Sequence, residues 1–241
     1  VNAFGQFTQY SFGNNLTTTK TYNCLGMLNN ISIGTVQNMD YSYDNTTGNM
    51  VSRKDNVHNL TEIFTYDDLN RLTGVSGPAP YTMTYSANGN IQSKTSVGNY
   101  LYEGTKPHAV TSVTNPDGLI SSTQQRITYT SFNKVDSIIL GNLIYTLTYG
   151  VEDQRTISKL FDNGTLQKTV YYAGNYEKEV KPGNHIRQLH YIAGGDGLAA
   201  IFVRNDGVDT LYYIHTDHLG SINVITNQSG AVVKSYSFDA W

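Results

Sequence analysis

The sequence predicts an all-β protein, built as a repetitive array of antiparallel β-hairpins. The first observation behind this prediction is a short strand-and-turn template that recurs along the 241 residues. The second is a content of 19 Tyr against 8 Phe and one Trp, which suits sheets whose rings pack on neighbouring strands while their hydroxyls reach turns or water. The third is that no amphipathic stretch is long enough for a substantial helix.

The template is clearest at residues 64–72, FTYDDLNRL. A strand ends at Tyr66, a polar turn follows, and Asn70 and Leu72 come four and six positions after the tyrosine. Because Asn and Gly adopt positive φ more readily than other residues, Asn70 predicts a tight reversal into a new strand. The other copies are Tyr22, Gly26 and Leu28; Tyr85, Gly89 and Ile91; Tyr129, Asn133 and Val135; and, with one extra turn residue, Tyr43, Asp44, Gly48 and Met50.

Tyrosines mark successive copies about every twenty residues, a period typical of repeat arrays and not of a single globular core. Any Tyr-rich β protein can be scanned into a rough period, but four copies here agree at three positions, which makes coincidence a poor explanation. The copy at Tyr102 fits the template least well and is the weakest member of the repeat alignment. We predict that Gly26, Asn70, Gly89 and Asn133 occupy one equivalent turn position and share a positive φ.

The units resemble the YD repeat of bacterial Rhs proteins, toxin-complex shell components and animal teneurins. That signature is Tyr-Asp, then Gly or Asn, then Arg or Asn, then an aliphatic residue, and Tyr66, Asp67, Asn70, Arg71 and Leu72 match it best. Residues 213–241 resemble the opening of the Rhs-associated core. The centre of that second motif is Asp217, His218, Leu219, Gly220 and Ser221, and the sequence departs from it at Asn223, where the family commonly has Arg.

The resemblance implies a curved, spiralling sheet that forms part of a hollow shell. In the family this shell closes around a C-terminal toxin or effector and keeps it unfolded or inactive until delivery. Residues 1–165 correspond to the YD-repeat array, and residues 166–241 to the last repeats and the start of the core, continuous with the same sheet. The family's self-cleavage residues lie beyond Trp241, so this chain is expected to be a non-catalytic fragment of a bacterial secreted or cell-surface protein. Its implied partner is the effector domain of its own parent protein.

Composition excludes several classes of partner. The net charge is −3 and charged residues make up 15% of the chain, so no positive field attracts nucleic acid. The aliphatic run at residues 198–203 is far shorter than the ~20 residues that a membrane-spanning helix needs. Cys24 is the one cysteine, so it forms no internal disulfide, and it is expected to be a small buried side chain. No signal peptide is expected within these residues, and a chain that starts and stops within repeats is expected to be a fragment, so this says little about the parent protein.

Taken in order, residues 1–16 are expected to form entry strands, and residues 19–75 three repeat units. Pro78 and Pro80 mark a loop or an edge, because proline donates no hydrogen bond to a ladder. A hairpin around Asn88 and Gly89 follows, and residues 100–125 are expected to hold a longer loop. From Arg126 the alternation predicts a meander, with hairpins over residues 157–172, 199–214 and 221–238.

The one compact cluster of chemical side chains is His215, Asp217 and His218. A metal site is the weaker interpretation, since strand alternation sends neighbouring side chains to opposite faces. The better one is structural: Asp217 closes a turn through backbone amides, Leu219 is buried, and Gly220 permits the reversal. Carboxylate pairs fall in turns, and the sequence has no nucleophile motif or phosphate-binding loop. No catalytic, cofactor-binding or metal-binding residue is therefore assigned.

Two further expectations complete this interpretation. The alternative function is a cell-surface carbohydrate-binding or adhesion module, in which a Tyr-rich and Asn-rich sheet face stacks on sugar rings and bonds their hydroxyls. The second expectation concerns sheet edges, because unpaired strands recruit other chains. The fragment is predicted to be an open curved sheet that self-associates through residues 232–238.

Overall fold

The computed structural model describes residues 1–121 and 123–240. They form two sheets of 11 strands each, and in both sheets the strands follow one another in chain order. Neighbouring strands pair antiparallel, as in a series of hairpins. The all-β class and the antiparallel hairpin array predicted from the sequence are confirmed.

The first sheet contains strands β1 to β11. They are β1 (Gln9–Ser11), β2 (Thr17–Tyr22), β3 (Leu28–Ile33), β4 (Gln37–Tyr43), β5 (Met50–Asp55), β6 (Leu60–Tyr66), β7 (Leu72–Ser76), β8 (Tyr81–Tyr85), β9 (Ile91–Lys94), β10 (Gly98–Leu101) and β11 (Ser112–Val113). The predicted loop around Pro78 and Pro80 is the connection from β7 to β8. In the irregular stretch predicted over residues 100–125, β11 is the one strand that the described residues form between Leu101, where β10 ends, and Gln125, where β12 begins.

The second sheet contains strands β12 to β22. They are β12 (Gln125–Tyr129), β13 (Val135–Leu140), β14 (Leu143–Tyr149), β15 (Arg155–Asp162), β16 (Thr165–Ala173), β17 (Tyr176–Lys181), β18 (His185–Gly194), β19 (Gly197–Asn205), β20 (Val208–Thr216), β21 (Ile222–Thr226) and β22 (Val232–Ser235). A single 3-10 turn, Val151–Asp153, lies between β14 and β15. The three predicted hairpins of this half are present, but β22 ends at Ser235 and not at Phe238.

The repeat template corresponds to the closed end of a hairpin. Tyr66 is the cross-strand partner of Leu72, and the register shifts by one residue between Thr65 and Tyr66, as in a β-bulge. The tyrosine and the aliphatic residue of the template thus face each other across the turn. The equivalent pairs are Tyr22 with Leu28, Tyr43 with Met50, Tyr85 with Ile91, and Tyr129 with Val135.

The predicted positive φ at the turn position is confirmed. The φ angles are 78° at Gly26, 59° at Asn70, 88° at Gly89 and 62° at Asn133. Gly48, in the copy with one extra residue, has a φ of 75°. These angles lie in the left-handed region, where Gly and Asn are tolerated best.

The chain divides into two compact units. The first comprises the described residues of Val1–Ser122 together with Thr216–Ser221 and Tyr236–Trp241, and the second comprises Thr123–His215 and Ile222–Ser235. The predicted division between residues 165 and 166 falls within β16, directly after its first residue. The division between the repeat array and the core rests on the resemblance to the family, and it stays a prediction.

Two clusters of buried apolar residues lie in the first unit. One cluster is formed by Phe64, Leu72, Val75 and Met83, and the other by Ile31, Met39 and Tyr41. Met50 packs against both clusters. The expected burial of Cys24 is wrong: the residue is exposed, because it lies in the turn between β2 and β3 and not on a strand face. In the second unit, the buried residues are Val170, Ala200, Val203, Ile214 and Val224, with the polar residues Ser158, Thr169, His215 and Thr226.

Candidate functional site

Each repeat turn is closed by the polar side chain that follows its tyrosine. The Asp67 carboxylate accepts hydrogen bonds from the backbone N–H groups of Leu69 and Arg71, both at 3.0 Å. Arg71 also donates from Nε to the other carboxylate oxygen of Asp67 at 2.7 Å. These bonds from Arg71 hold the pKa of the Asp67 carboxyl below its usual range. The aspartate of the template therefore serves the turn, as Asn23 and Asp44 do in theirs.

The core motif builds the same turn. The Asp217 carboxylate accepts from the backbone N–H groups of Leu219 and Ser221, both at 2.9 Å, and Gly220 has a φ of 84°. The predicted turn-closing role of Asp217 agrees with these bonds, but the predicted burial of Leu219 is wrong, because the side chain is 77% exposed. Leu69, at the same turn position, is 70% exposed. A side chain at this position points away from the hairpin.

In four repeats, the tyrosine hydroxyl bonds to the repeat before it. Tyr85 donates to the carbonyl oxygen of Leu72 at 2.7 Å, and Tyr66 donates to that of Met50 at 2.9 Å. In both cases the acceptor is the aliphatic residue of the preceding template, and burial raises the pKa of both phenols. The same bond joins Tyr102 to Ile91 and Tyr149 to Val135, at 3.0 and 2.7 Å. Tyr102, the weakest copy by sequence, therefore makes the repeat contact.

The arginine of the best-matched repeat stacks on the tyrosine of the next repeat. The Arg71 guanidinium carbon lies 4.5 Å from the centroid of the Tyr85 ring, within the range of a favourable cation–π contact. Because Arg71 is also bonded to Asp67, it links the turn of one repeat to the tyrosine of the next. In the second unit, Arg155 stacks on Tyr172 at 4.2 Å.

The C-terminal segment Tyr236–Ala240, here called the strap, docks in the first unit. Arg53 donates from Nη2 to the carbonyl oxygen of Phe238 at 2.9 Å. Lys94 Nζ lies 3.0 Å from a carboxylate oxygen of Asp239. Ala240 packs against the apolar cluster that contains Phe64 and Met83. We call these partners of the strap, namely Arg53, Lys94 and the Phe64 cluster, the strap site.

Both cations of the strap site are held in place by the sheet. Arg53 bonds from Nε to the Glu62 carboxylate at 2.8 Å, and its side chain is only 11% exposed. Lys94 lies over the Tyr81 ring at 4.3 Å from the centroid. Burial, and next the nearby Asp239 carboxylate, raise the pKa of the Tyr81 phenol. Contacts within the sheet therefore position both cations independently of the strap, as in a preorganised binding site.

A groove of about 730 Å³ lies beside the strap. Its lining includes Tyr66, Leu72 and Tyr85 from the repeats, His218 and Leu219 from the core-motif turn, and Phe238 from the strap. The charged groups of this lining are already bonded, Arg71 to Asp67 and Asp217 to its own turn. The groove can therefore hold apolar side chains and an extended main chain.

The two histidines of the predicted cluster have separate surroundings. His215, in the second unit, is 1% exposed and its Nε2 lies 2.8 Å from the Thr226 hydroxyl. Burial lowers the pKa of His215 to about 4. His218, in the first unit, stacks its ring on Tyr41 at 4.5 Å between centroids, and burial lowers its pKa as well.

Residues 1–121 and 123–240 contain no candidate metal cluster and no candidate membrane-spanning helix. Within them, no three His, Cys, Asp or Glu side chains are grouped so that they could hold a metal ion. Over the same residues, no helix has the length and apolar character needed to cross a membrane.

Sequence reasoning missed the strap. Two polar contacts of the strap join residues 185 and 145 positions apart, and no local pattern connects such distant partners. The alternation of aromatic and polar residues continues through Tyr236, Ser237 and Phe238, so the sequence does not indicate that the strand ends at Ser235. Residues 232–238 read as a single strand, but the last of them belong to a docked segment.

The fold is similar to that of solved toxin complexes. The crystal structure of TcdB2-TccC3 without its hypervariable C-terminal region matches 99% of this chain with a TM-score of 0.80 at 15% identity. The TcdB2-TccC3-Cdc42 structure matches the same share with a TM-score of 0.80 at 16% identity. The Tc holotoxin pore of Photorhabdus luminescens also matches 99% of the chain, with a TM-score of 0.77 at 16% identity.

These likenesses cover a small part of the larger proteins. The chain spans 15% of the length of each of the three matched chains. No protein-family model matches the sequence, and no curated protein matches it. At 15–16% identity the likeness shows the fold, which is that of one part of these toxin complexes.

Proposed function

We propose that this chain is a non-catalytic segment of an Rhs-like, YD-repeat shell that encloses a C-terminal toxin or effector and helps to deliver it. The observation that carries the proposal is the fold likeness to TcdB2-TccC3 over 99% of the chain. One of the matched structures is described as lacking a hypervariable C-terminal region. By analogy, the partner of this chain is a variable effector polypeptide of its own parent protein, in a bacterial protein that is secreted or displayed at the cell surface.

The contacts between repeats support a role as a wall. Several repeats are tied to their neighbours by a tyrosine hydroxyl, as Tyr85 is to Leu72, and one apolar cluster spans β6, β7 and β8. Arrays of this kind gain stability from each added neighbour and do not depend on one deep core. Such a sheet can be thin and extended, which suits an enclosing layer. The acidic side chains of the turns are bonded to backbone amides, so they serve structure.

Protease protection in the full-length parent protein tests the proposal. We expect the C-terminal polypeptide to resist protease in that protein and to be cut when it is expressed alone. Tyr66→Ala and Tyr85→Ala, which remove the bonds to Met50 and Leu72, should increase the cleavage rate of the C-terminal polypeptide. Tyr171→Ala is the matched control, since this tyrosine is 44% exposed. Equal cleavage with and without the repeats would contradict enclosure.

The alternative function, carbohydrate binding, has one observation in its favour. A cleft of about 730 Å³ in the second unit is lined by Tyr212, Arg187, Asn205 and Thr210, among others. A tyrosine ring beside amide, hydroxyl and guanidinium groups is a combination that sugar hydroxyls can use. Glycan binding that is saturable and lost in Tyr212→Ala would support this alternative over enclosure.

A further inference from the structure

The strap is held as a bound peptide would be. Its polar anchors are a main-chain carbonyl, which accepts from Arg53, and one carboxylate, which pairs with Lys94. Its third contact is the small side chain of Ala240 against apolar residues. Among the described residues of the strap, none belongs to a strand. The strap site thus recognises an extended segment by its backbone, one negative charge and one small residue.

The strap is joined to a lightly anchored part of the chain. It follows β22, which stands at the end of its sheet with β21 as its one neighbour in the strand order. All four residues of β22 are exposed, and Val232 and Val233 are 49% and 50% exposed. Little apolar burial therefore opposes movement of the segment that leads into the strap.

The groove beside the strap leaves room for a second segment. Its volume of about 730 Å³ adjoins Phe238, and its open lining includes Leu219, which is 77% exposed. An incoming extended segment could contact this lining before the resident strap leaves. Exchange would then proceed without a fully emptied strap site, whose apolar floor would be costly to expose.

We propose that the strap site also binds the strap of a second copy of this chain, so that two chains exchange straps and form a closed dimer. A second copy presents the identical segment, with the same carbonyl, carboxylate and small side chain. In a reciprocal exchange both strap sites stay filled, and the contacts to Arg53 and Lys94 are kept. Because the contacts are the same before and after the exchange, the free-energy cost of the dimer is only that of bringing two chains together. This inference is independent of the proposed shell function.

The resident strap competes with an incoming one. A tethered segment has an effective concentration in the mM range for a short flexible connection, so exchange between unmodified chains requires high protein concentration. Reversing the charge of one partner weakens the resident contact and makes exchange selective. The pair between Lys94 and Asp239 is suited to this, because it is one ammonium against one carboxylate at 3.0 Å.

The test mixes two full-length variants. In Lys94→Glu the altered strap site repels its own strap, and in Asp239→Lys the altered strap repels its own strap site. When the two are mixed, each strap meets a strap site of opposite charge only in the other chain. We expect each variant alone to be monomeric and the 1:1 mixture to form heterodimers. The association constant of the heterodimer should be about tenfold higher than that of the unmodified chain with itself. Native mass spectrometry of the mixture measures this directly.

The double variant Lys94→Glu with Asp239→Lys is the matched control. It restores an opposite pair within one chain, and it should be monomeric with a melting temperature near that of the unmodified chain. A mixture that stays monomeric would overturn the proposal. Dimers of either single variant alone would also overturn it, because pairing of exposed strand edges does not require complementary charges.

A second measurement covers the case in which Lys94→Glu fails to fold. Isotope-labelled and unlabelled copies of the unmodified chain are mixed over a wide concentration range, and mixed dimers are counted. Strap exchange predicts mixed dimers that disappear when residues 236–240 are replaced by a Gly-Ser segment of equal length in every copy. Mixed dimers that persist after this replacement would contradict the exchange.

Discussion

The phenolic hydroxyl of Tyr85 donates a hydrogen bond of 2.7 Å to the carbonyl oxygen of Leu72. Leu72 closes the hairpin of one repeat, and Tyr85 begins the template of the next. The bond therefore couples successive repeats, and the stacking of Arg71 on the same ring adds a charged contact between them. Stability of the array then depends on contacts between neighbours as well as on each hairpin.

Tyr85→Phe is expected to reduce the free energy of unfolding by about 1 kcal/mol, the usual net value of one hydrogen bond. The ring and its contact with Arg71 stay, so the loss isolates the hydroxyl. Urea unfolding of the full chain measures the change. Tyr171→Phe removes a hydroxyl from a ring that is 44% exposed, and should change stability by much less. Equal losses of unfolding free energy in Tyr85→Phe and Tyr171→Phe would contradict a stabilising role for the bond between Tyr85 and Leu72.

Gly89→Val is expected to cost more than the ~1 to 2 kcal/mol of the left-handed backbone, because β-branching adds to that penalty. Gly89 has a φ of 88°, and an added Cβ would meet nothing within 4 Å, so the cost comes from the backbone and not from a clash. Gly89→Asn is the matched control, since Asn70 and Asn133 occupy the equivalent position. Thermal unfolding should show Gly89→Asn close to the unmodified chain. Similar losses for Val and Asn would contradict the turn assignment.

Features that depend on neighbours in sequence were predictable. Tyr66, Asn70 and Leu72 lie within one turn, so their spacing alone specifies the reversal and the pair that closes it. The hairpin order follows, because consecutive strands pair with each other.

Features that depend on side-chain direction or distant contacts were not predictable. Leu219 was expected to be buried because it is aliphatic, but strand alternation does not apply within a turn. Phe238 was placed on a strand because the alternating pattern does not reveal that Arg53 holds its carbonyl. The acceptor in this contact is a main-chain carbonyl, which every residue has, so the residue type at position 238 does not indicate the bond.

The purified chain is expected to have no intrinsic catalytic activity. Asp67 and Asp217 accept hydrogen bonds from the amides of their own turns, so neither carboxylate is free to act as an acid or base. Incubated alone, the chain should neither cleave itself nor hydrolyse peptide or glycoside substrates. Mass spectrometry over several days provides the measurement. A defined internal cut that disappears when one Asp is replaced would contradict this expectation.

Acid is expected to destabilise the second unit through His215. This imidazole is 1% exposed and bonded to the Thr226 hydroxyl, and burial lowers its pKa from 6.5 to about 4. Between pH 6.5 and 4 the unfolded chain binds a proton that the folded chain does not. The free energy of unfolding therefore falls as pH falls through this window, by about 3 kcal/mol in total, and the contribution of His215 levels off below pH 4.

His215→Asn should remove this part of the pH dependence, even if it lowers stability at every pH. Burial also lowers the pKa of His218, so a smaller slope of the same sign is expected to remain. His108→Asn, at an exposed position, is the matched control and should keep the slope of the unmodified chain. Urea unfolding at intervals from pH 7 to pH 4.5 measures all three proteins. A slope that is unchanged in folded His215→Asn would show that the buried imidazole does not govern the acid response.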